Sequence, residues 1–419
     1  MVDHKDSVDV WHVVNGAGGT GKSVAILKKA KRYLEEDPEC SVLYVVGKTK
    51  KLKEMIEFWT DGDMDNYGGR FKKDRFDDLR KEYGFGRKIY DDEFDREKID
   101  DAFKNTVETG IKGKPIYDHV FIDEAQDMTP RELYLFSRLA ENSFTLIGSK
   151  KQSIFVPNGE NDRYWENLLN KVAGAYTPKK EIYTSELKIQ QRIGNPNIIK
   201  VANNISRYSS NGFECGETCE LLDENVNEPL SEDRPMIIRC RDEESEMKAL
   251  TRQINDLPKP ENGGDWTIGV LRIKKDKVRE TKAAFDRGCS DRWREKSYLV
   301  GVVDDSKPAD VIYSKDNAVN GGVFFLTVAN SKGLDFDCVF IFFDDYVYCK
   351  ENTDHKIVRY LLVTKNTGGK STSARNNLYV SVTRPRAILT VMILEDNYPD
   401  SKVQSILGDS CDCVVDENS

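Results

Sequence analysis

The sequence predicts an α/β fold made of two tandem domains, each with a parallel sheet covered by helices. Short apolar runs alternate with helical stretches along almost the whole chain, an order typical of parallel sheets. These runs are apolar throughout, as expected of strands that are buried on both faces. With 419 residues, of which 38% are hydrophobic, the chain is long enough to form two such cores.

The first domain is expected over residues 1–178. Its predicted strands are 8–15, 41–46, 119–123 and 144–148. Between the second and the third of them, residues 60–108 carry many charges of both signs together with aromatic residues. This composition, as in the run from Phe71 to Arg80, predicts a helical insertion that is either a solvated face or a binding surface.

The second domain is expected over residues 179–419 and shows the same alternation. Its predicted strands are 236–240, 266–271, 322–328, 338–343 and 387–394. Near its beginning the composition shifts to Ser, Asn, Gly and Glu, with the turn dipeptide Asn211-Gly212. Residues 209–235 are therefore predicted to form a surface loop.

A glycine-rich loop follows the first predicted strand. It reads Gly16-Ala17-Gly18-Gly19-Thr20-Gly21-Lys22-Ser23 and has the full G-x-x-x-x-G-K-[ST] spacing. Its glycines allow consecutive backbone N–H groups to wrap around a triphosphate, Lys22 reaches the β- and γ-phosphate oxygens, and the Ser23 hydroxyl is a ligand for Mg²⁺. The loop therefore predicts a nucleoside triphosphate, NTP, and Mg²⁺ as cofactors.

Two carboxylates stand at the end of the third predicted strand, in the sequence Asp123-Glu124-Ala125-Gln126-Asp127. Asp123 at the strand tip is placed to hold the Mg²⁺ shell. Glu124 is placed to orient and deprotonate the water that attacks the γ-phosphate. Together with the glycine-rich loop, this pair predicts NTP hydrolysis.

The order Asp-Glu-x-Gln-Asp resembles motif II of superfamily 1 helicases of the UvrD/Rep-like type, and other segments resemble the further motifs of that family in the same order. They are Lys48-Thr49-Lys50-Lys51 for motif Ia, Gly148-Ser149-Lys150-Lys151-Gln152-Ser153-Ile154-Phe155 for motif III, Arg192 with Asn195-Pro196 for motif IV, Thr327-Val328-Ala329-Asn330-Ser331-Lys332-Gly333-Leu334-Asp335-Phe336 for motif V, and Leu378-Tyr379-Val380-Ser381-Val382-Thr383-Arg384-Pro385 for motif VI. The resemblance spans nearly the whole chain.

This resemblance implies two RecA-like domains with the nucleotide in the cleft between them. It assigns catalysis to Lys22, Asp123, Glu124, Gln152, Arg192 and Arg384, and further nucleotide contacts to Gln126, Gly333 and Asp335. Gln126 and Gln152 would sense the γ-phosphate. Arg192 and Arg384 would come from the second domain as arginine fingers that stabilise charge on the transferring phosphoryl group.

The same resemblance implies a single-stranded nucleic acid as partner, with DNA favoured and movement from 3′ to 5′. The residues expected to contact the strand are Lys48, Thr49, Lys50, Phe155, Thr327 and Lys332. The lysines would bind phosphates, whereas Phe155 would either stack on a base or belong to the core beneath motif III.

Several positions depart from the family pattern. No Gln-containing motif precedes the glycine-rich loop and Gln191 replaces the usual base-stacking Tyr, so other NTPs are expected beside ATP. Ala329 replaces the usual His of motif V, and the segment between Leu271 and Phe324 is too short for a large inserted domain. These departures keep open an alternative, a nucleotide-gated switch that regulates a protein or nuclease partner without unwinding. In either case we expect a partner protein or a flanking nuclease or sensor domain.

The overall composition bears on partners and location. The formal net charge of −9 argues against indiscriminate binding of polyanions, although it permits a local basic track. Nine cysteines in a chain of this length indicate reduced thiols. No apolar run approaches the roughly 18 to 20 residues that span a bilayer, so we expect no membrane partner and a cytoplasmic location.

Overall fold

The chain divides into two compact units, the first made of residues 1–16 and 21–187 and the second of residues 17–20 and 188–419. The computed structural model describes residues 10–46, 63–82, 117–149, 164–176, 179–189, 191–207, 230–231, 233–260, 263–300, 321–332, 334–346, 348–350, 359–361, 371–394, 403 and 406–415. Each unit has its own parallel sheet.

The sheet of the first unit has six strands. They are β1 (Val10–Gly16), β2 (Val42–Val46), β3 (Phe71–Arg75), β4 (Tyr117–Ile122), β5 (Ala140–Gly148) and β6 (Glu181–Leu187). The strands lie in the order β3-β2-β4-β5-β1-β6, and all neighbours are parallel. The α-helices described in this unit are α1 (Lys22–Glu36), α2 (Phe76–Glu82), α3 (Pro130–Ser137) and α4 (Tyr164–Ala173).

The central strands of this sheet are buried on both faces, as their continuous apolar character predicts. In β2, Leu43 and Val45 belong to one core cluster, whereas Tyr44 and Val46 belong to the other. Helix α1 packs in the second cluster, and α3 and α4 pack in the first. Because all strands are parallel, their carboxyl ends meet at one edge of the sheet, which is where ligands bind in open α/β sheets.

The run from Phe71 to Arg80, predicted to be helical throughout, is instead β3 followed by the beginning of α2. Among the described strands, β3 lies at the edge of the sheet and pairs with β2. Its charges are matched locally, since Lys72 pairs with Glu82 and Lys73 with Asp65. Mixed charges occur on edge strands as well as on solvated helices, so the composition of this run did not distinguish a strand from a helix. Residues 60–62 and 83–108 of the predicted insertion lie outside the described residues.

The sheet of the second unit has seven parallel strands, and a separate two-stranded antiparallel sheet accompanies it. The strands are β7 (Met236–Cys240), β8 (Thr267–Arg272), β9 (Ser297–Val300), β10 (Gly322–Thr327), β11 (Phe336–Phe342), β12 (Tyr348–Lys350), β13 (Arg359–Leu361), β14 (Pro385–Leu394) and β15 (Asp412–Val415). The parallel sheet has the order β15-β7-β14-β11-β8-β10-β9, and β12 pairs with β13.

The α-helices described in the second unit are α5 (Pro196–Arg207), α6 (Glu243–Asp256), α7 (Lys275–Gly288), α8 (Asp291–Arg294), α9 (Val328–Ser331) and α10 (Ser371–Val382). Helix α6 begins with a capping box, in which Asp242 and Ser245 each accept from the backbone N–H of the other. In the sheet, a Cβ at Gly269 would lie 2.7 Å from the Phe336 ring, so this position of β8 requires glycine.

The predicted α/β class with parallel sheets is confirmed, and each of the nine predicted strands overlaps an observed one. β6 belongs to the first sheet, so the first unit extends to Leu187 and past the boundary expected at residue 178. Of the predicted surface loop 209–235, only residues 230–231 and 233–235 are described. Among the described residues, no helix is long and apolar enough to cross a membrane.

Candidate functional site

The glycine-rich loop lies between β1 and α1, in the strand–loop–helix context that its motif requires. β1 ends at Gly16 and α1 begins at Lys22. Gly19 and Gly21 have φ angles of 84° and 77°, a left-handed conformation that residues with a Cβ rarely adopt. The glycines at these two positions therefore have a conformational role in shaping the loop.

Hydrogen bonds within the loop hold its turn. The Thr20 hydroxyl donates to the carbonyl of Ala17 at 2.9 Å, across Gly18 and Gly19. The Lys22 ammonium donates to the carbonyl of Gly16 at 2.6 Å, so this cation is held at the carboxyl end of β1. A lysine at this place is suited to an anionic ligand that approaches the helix N-terminus.

Ser23 and Asp123, the two predicted Mg²⁺ ligands, are in direct contact. The Ser23 hydroxyl donates to Oδ2 of Asp123 at 2.6 Å, which joins the first turn of α1 to the residue that follows β4. Asp123 is 2% exposed. The two positions are 100 residues apart in the chain, and the fold brings together the pair that the motifs predicted.

Tyr44 is a third member of this cluster that the sequence did not indicate. Its hydroxyl donates to the same Asp123 oxygen at 3.0 Å, from a side chain that is fully buried in β2. In the register of β2 and β4, Tyr44 lies opposite Phe121, and Phe121 precedes Asp123 by two residues. The signal that could have found Tyr44 is its hydroxyl, the one polar side-chain group in β2, which pairs with the strand that precedes Asp123.

Burial and neighbouring charges shift the pKa of the Asp123 carboxyl group. Burial, and then the neighbouring charge of Glu124, raise the pKa of Asp123 to about 6, although the hydrogen bonds from Ser23 and Tyr44 and the charge of Lys22 act in the opposite direction. A cation beside Asp123 would favour the charged carboxylate.

The donor set is a carboxylate and a hydroxyl, the hard oxygen ligands that Mg²⁺ prefers. Among the described residues, no group of three or more His, Cys, Asp or Glu side chains could hold a metal by itself. Mg²⁺ is commonly bound by one or two carboxylates together with substrate phosphates and water, so the residues present fit this ion.

Glu124 has an unusual backbone and a fixed side chain. Its φ of 54° makes it the one non-glycine residue with positive φ among those described. Its N–H donates to Oδ1 of Asp123 at 2.9 Å, and its Oε2 accepts from the side-chain amide of Gln126 at 2.5 Å. Gln126 in turn accepts from the N–H of Ser149 at 3.2 Å, directly after β5. The predicted general base and the predicted γ-phosphate sensor are therefore linked.

The two predicted arginine fingers lie in the second unit. Arg384 is 3% exposed, and its guanidinium donates to the carbonyls of Val380 and Leu334 at 3.0 and 3.2 Å. Arg192 is partly buried and donates to the carbonyl of Thr383 at 3.4 Å. Both guanidinium groups are thus anchored by backbone carbonyls near the start of β14.

Two predicted nucleic-acid contacts, Thr327 and Lys332, flank helix α9. Thr327 is 5% exposed, and its hydroxyl accepts from the N–H of Asn330 at 3.2 Å as the N-cap of α9. Lys332 is 3% exposed. The structure therefore gives both side chains a buried setting.

Of the other predicted site residues, Asp335 is described and pairs with Arg386 in the second unit. Outside the described part of the chain lie Lys48, Thr49, Lys50, Gln152, Phe155 and Gly333. A comparison with protein-family models and one with curated proteins found no match to the chain.

Proposed function

We propose that the chain is a Mg²⁺-dependent nucleoside triphosphatase of the superfamily 1 helicase type, which couples hydrolysis of ATP or another NTP to movement on single-stranded nucleic acid, with DNA favoured. The observation that carries the proposal is the hydrogen-bonded series Ser23, Asp123, Glu124 and Gln126 beside the glycine-rich loop. The two parallel-sheet units are compatible with two RecA-like domains. In this proposal the nucleotide binds in a cleft between them.

The residues of the first unit divide the work of hydrolysis. Lys22 and the backbone N–H groups of the glycine-rich loop bind the β- and γ-phosphates. Ser23 and Asp123 would hold Mg²⁺, which when bound neutralises charge on the phosphate oxygens. These groups position the phosphates for attack at the γ-phosphorus.

Glu124 is the proposed general base. It takes a proton from the attacking water while the new bond from that water oxygen to phosphorus forms and the bond to the leaving nucleoside diphosphate breaks. Gln126 donates to one carboxylate oxygen of Glu124 and so fixes its orientation. Arg192 and Arg384, as arginine fingers, would stabilise the charge that develops on the transferring group.

The first test separates binding from hydrolysis. Glu124→Gln should bind NTP as the wild type does but lose hydrolysis by about two decades or more, because only the general base is removed. Lys22→Ala should weaken both, since the ammonium contacts the phosphates in the ground state and in the transition state. Nucleotide affinity is measured by equilibrium binding of a fluorescent NTP, and turnover by release of inorganic phosphate.

Glu141→Gln is the matched control, since it makes the same chemical change at an exposed position of β5. It should hydrolyse NTP at the wild-type rate. Retention of more than about a tenth of wild-type turnover by Glu124→Gln would contradict the assigned role.

A second candidate is a nucleotide-gated switch that regulates a protein or nuclease partner without unwinding. The burial of Lys332 favours it, because a buried ammonium does not reach the phosphates of a strand. The net charge of −9 points the same way. Stimulation of hydrolysis by oligonucleotides distinguishes the motor from the switch.

A further inference from the structure

Three separate segments of the second unit are tied together around the carboxylate of Asp335. On either side of Asp335, Leu334 accepts from the Arg384 guanidinium at 3.2 Å and the N–H of Phe336 donates to the Arg384 carbonyl at 3.1 Å. The segment that contains Asp335 is thus bonded to Arg384 through both the side chain and the backbone.

The segment that contains Arg192 is joined to the same place. Arg192 donates to the carbonyl of Thr383, and the N–H of Gly194 donates to the carbonyl of Arg386 at 2.8 Å.

One guanidinium group binds Asp335 directly, and two others act on it through their charge. Nε of Arg386 donates to Oδ2 of Asp335 at 2.7 Å, and Nη2 of the same arginine pairs with that oxygen. Burial by itself would raise the pKa of Asp335, but the charges of Arg192, Arg386 and Arg384 hold it below its ordinary value. The carboxylate is therefore ionised at neutral pH and is the common counter-charge of the three arginines.

A counter-charge is needed here for a physical reason. Two guanidinium groups that act on one phosphoryl group must lie close together. Two positive charges at short range repel each other, and the repulsion is stronger where water screens it less. A carboxylate beside both offsets that repulsion, and Arg386 is the exposed partner that also binds it.

We propose that Asp335 is a positioning residue, which holds Arg192 and Arg384 in the arrangement that stabilises the transferring phosphoryl group. This inference rests on the proposed function, and it differs from the nucleotide contact that the motif resemblance implies for Asp335. A group that touches the nucleotide would change its affinity, whereas a group that acts through the arginines changes turnover.

The kinetic test is a double-mutant cycle. Asp335→Asn should lower kcat at least about tenfold, less than the roughly 10³-fold loss expected for removal of a finger, and should change NTP affinity less than about threefold. When Arg384 is already Ala, adding Asp335→Asn should have little further effect, because its target is gone. Asp335→Glu, which keeps the charge, should restore part of the loss.

Asp291→Asn is the control, because it removes a carboxylate whose side chain is 93% exposed in the same unit. It should retain wild-type kcat. Additive effects in the cycle, or a change confined to KM, would overturn the inference and place Asp335 on the nucleotide itself.

A readout without turnover separates this inference from the proposed function. The Nε–H NMR signals of Arg192 and Arg384, assigned by replacing each with Lys, should be visible in the nucleotide-free wild type and shifted or lost in Asp335→Asn. Unchanged signals would refute the positioning role even in an active enzyme. If the Nε–H signals change in Asp335→Asn but the wild type does not hydrolyse NTP, the positioning role of Asp335 is supported and the proposed NTP hydrolysis is refuted.

Discussion

Glu124 has the most constrained backbone of the candidate site. A non-glycine residue in the left-handed region costs roughly 1 to 2 kcal/mol, so its neighbours must hold it there. Its N–H is bound by the Asp123 side chain, and its carbonyl accepts from the N–H of Asp127 at 3.0 Å. These bonds turn the chain sharply after β4, so that the Glu124 carboxylate meets Gln126. Strain of this kind is typical of positions where geometry matters more than stability.

Tyr44 gives a prediction at this same scale. Tyr44→Phe removes one of the two side-chain hydroxyls that donate to Oδ2 of Asp123 and preserves the shape of the side chain. Loss of such an outer partner commonly costs 10- to 100-fold in metal affinity or activity, so we expect the Mg²⁺ concentration for half-maximal hydrolysis to rise about tenfold. Mn²⁺ binding, followed by electron paramagnetic resonance, should weaken in parallel without any turnover.

Tyr67→Phe is the control for this change, since it removes the Tyr67 hydroxyl that donates to Glu35 at an exposed position of the same unit. It should leave both readouts unchanged. Equal Mg²⁺ and Mn²⁺ dependence in Tyr44→Phe and wild type would show that the Tyr44 hydroxyl does not orient Asp123 for the metal.

At the scale of elements, the sequence predicted central strands better than edge strands. A strand between two others must be apolar on both faces. β2 has that pattern over its whole length, and the carboxyl-terminal halves of β4 and β5 are buried and mostly apolar. β3 and β6 lie at the edges, and most side chains of β6 are exposed, so their polar sequences do not differ from those of loops or solvated helices. Likewise, Ser23 and Asp123 could be predicted from motif spacing, whereas Tyr44 depends on a strand register that no local pattern contains.

The ends of β8 and β11 and the first turn of α6 meet in a buried ionic cluster. The Arg272 guanidinium lies 3.7 Å from Oε2 of Glu246 and 3.0 Å from Oδ2 of Asp345, and it stacks on the Phe342 ring at 3.9 Å. Burial raises the pKa of Glu246 to about 8. Arg272 opposes this shift, whereas Asp344, Asp345 and Glu243 add to it.

Glu246→Gln tests this cluster through the pH dependence of stability. Between pH 4.5 and about 8 the folded state keeps a proton on Glu246 that the unfolded state releases, so folding stability falls as pH rises through this window. Gln cannot ionise, so the variant should lose that pH dependence. It should be more stable than the wild type at pH 8 by about 4 kcal/mol, since the rise in the Glu246 pKa from 4.5 to about 8 covers more than three pKa units of about 1.36 kcal/mol each.

Thermal unfolding from pH 5 to pH 9 measures this difference. Glu244→Gln, in the same turn with a side chain that is 79% exposed, should track the wild type. A variant that is less stable than the wild type at pH 8 would show instead that Glu246 is ionised and that its pairing with Arg272 outweighs burial.

At the scale of the whole molecule, charge limits what the proposed motor can hold. The chain carries 63 Lys and Arg against 72 Asp and Glu, and one of the lysines expected on the strand, Lys332, is buried. The other predicted phosphate contacts, Lys48 and Lys50, lie outside the described residues. In the proposed motor, binding to a single strand therefore depends on few lysines in a chain of net negative charge. We expect this binding to be weak and sensitive to salt.

The salt dependence of affinity for a single strand should reflect the small number of phosphate contacts. The lysines of motifs Ia and III, Lys48, Lys50, Lys51, Lys150 and Lys151, would supply about three to five phosphate contacts. With a slope of about −0.7 per contact on single strands, the logarithm of affinity should fall against the logarithm of salt concentration with a slope of roughly −2 to −3.5. NTP hydrolysis should rise on addition of single-stranded DNA or RNA at low salt, and Lys48→Ala with Lys50→Ala should remove that rise while leaving basal hydrolysis intact. Processive unwinding of a long duplex by the chain alone at physiological salt would contradict this weak binding. A flat salt dependence with no stimulation by either nucleic acid would exclude the motor and leave the nucleotide-gated switch.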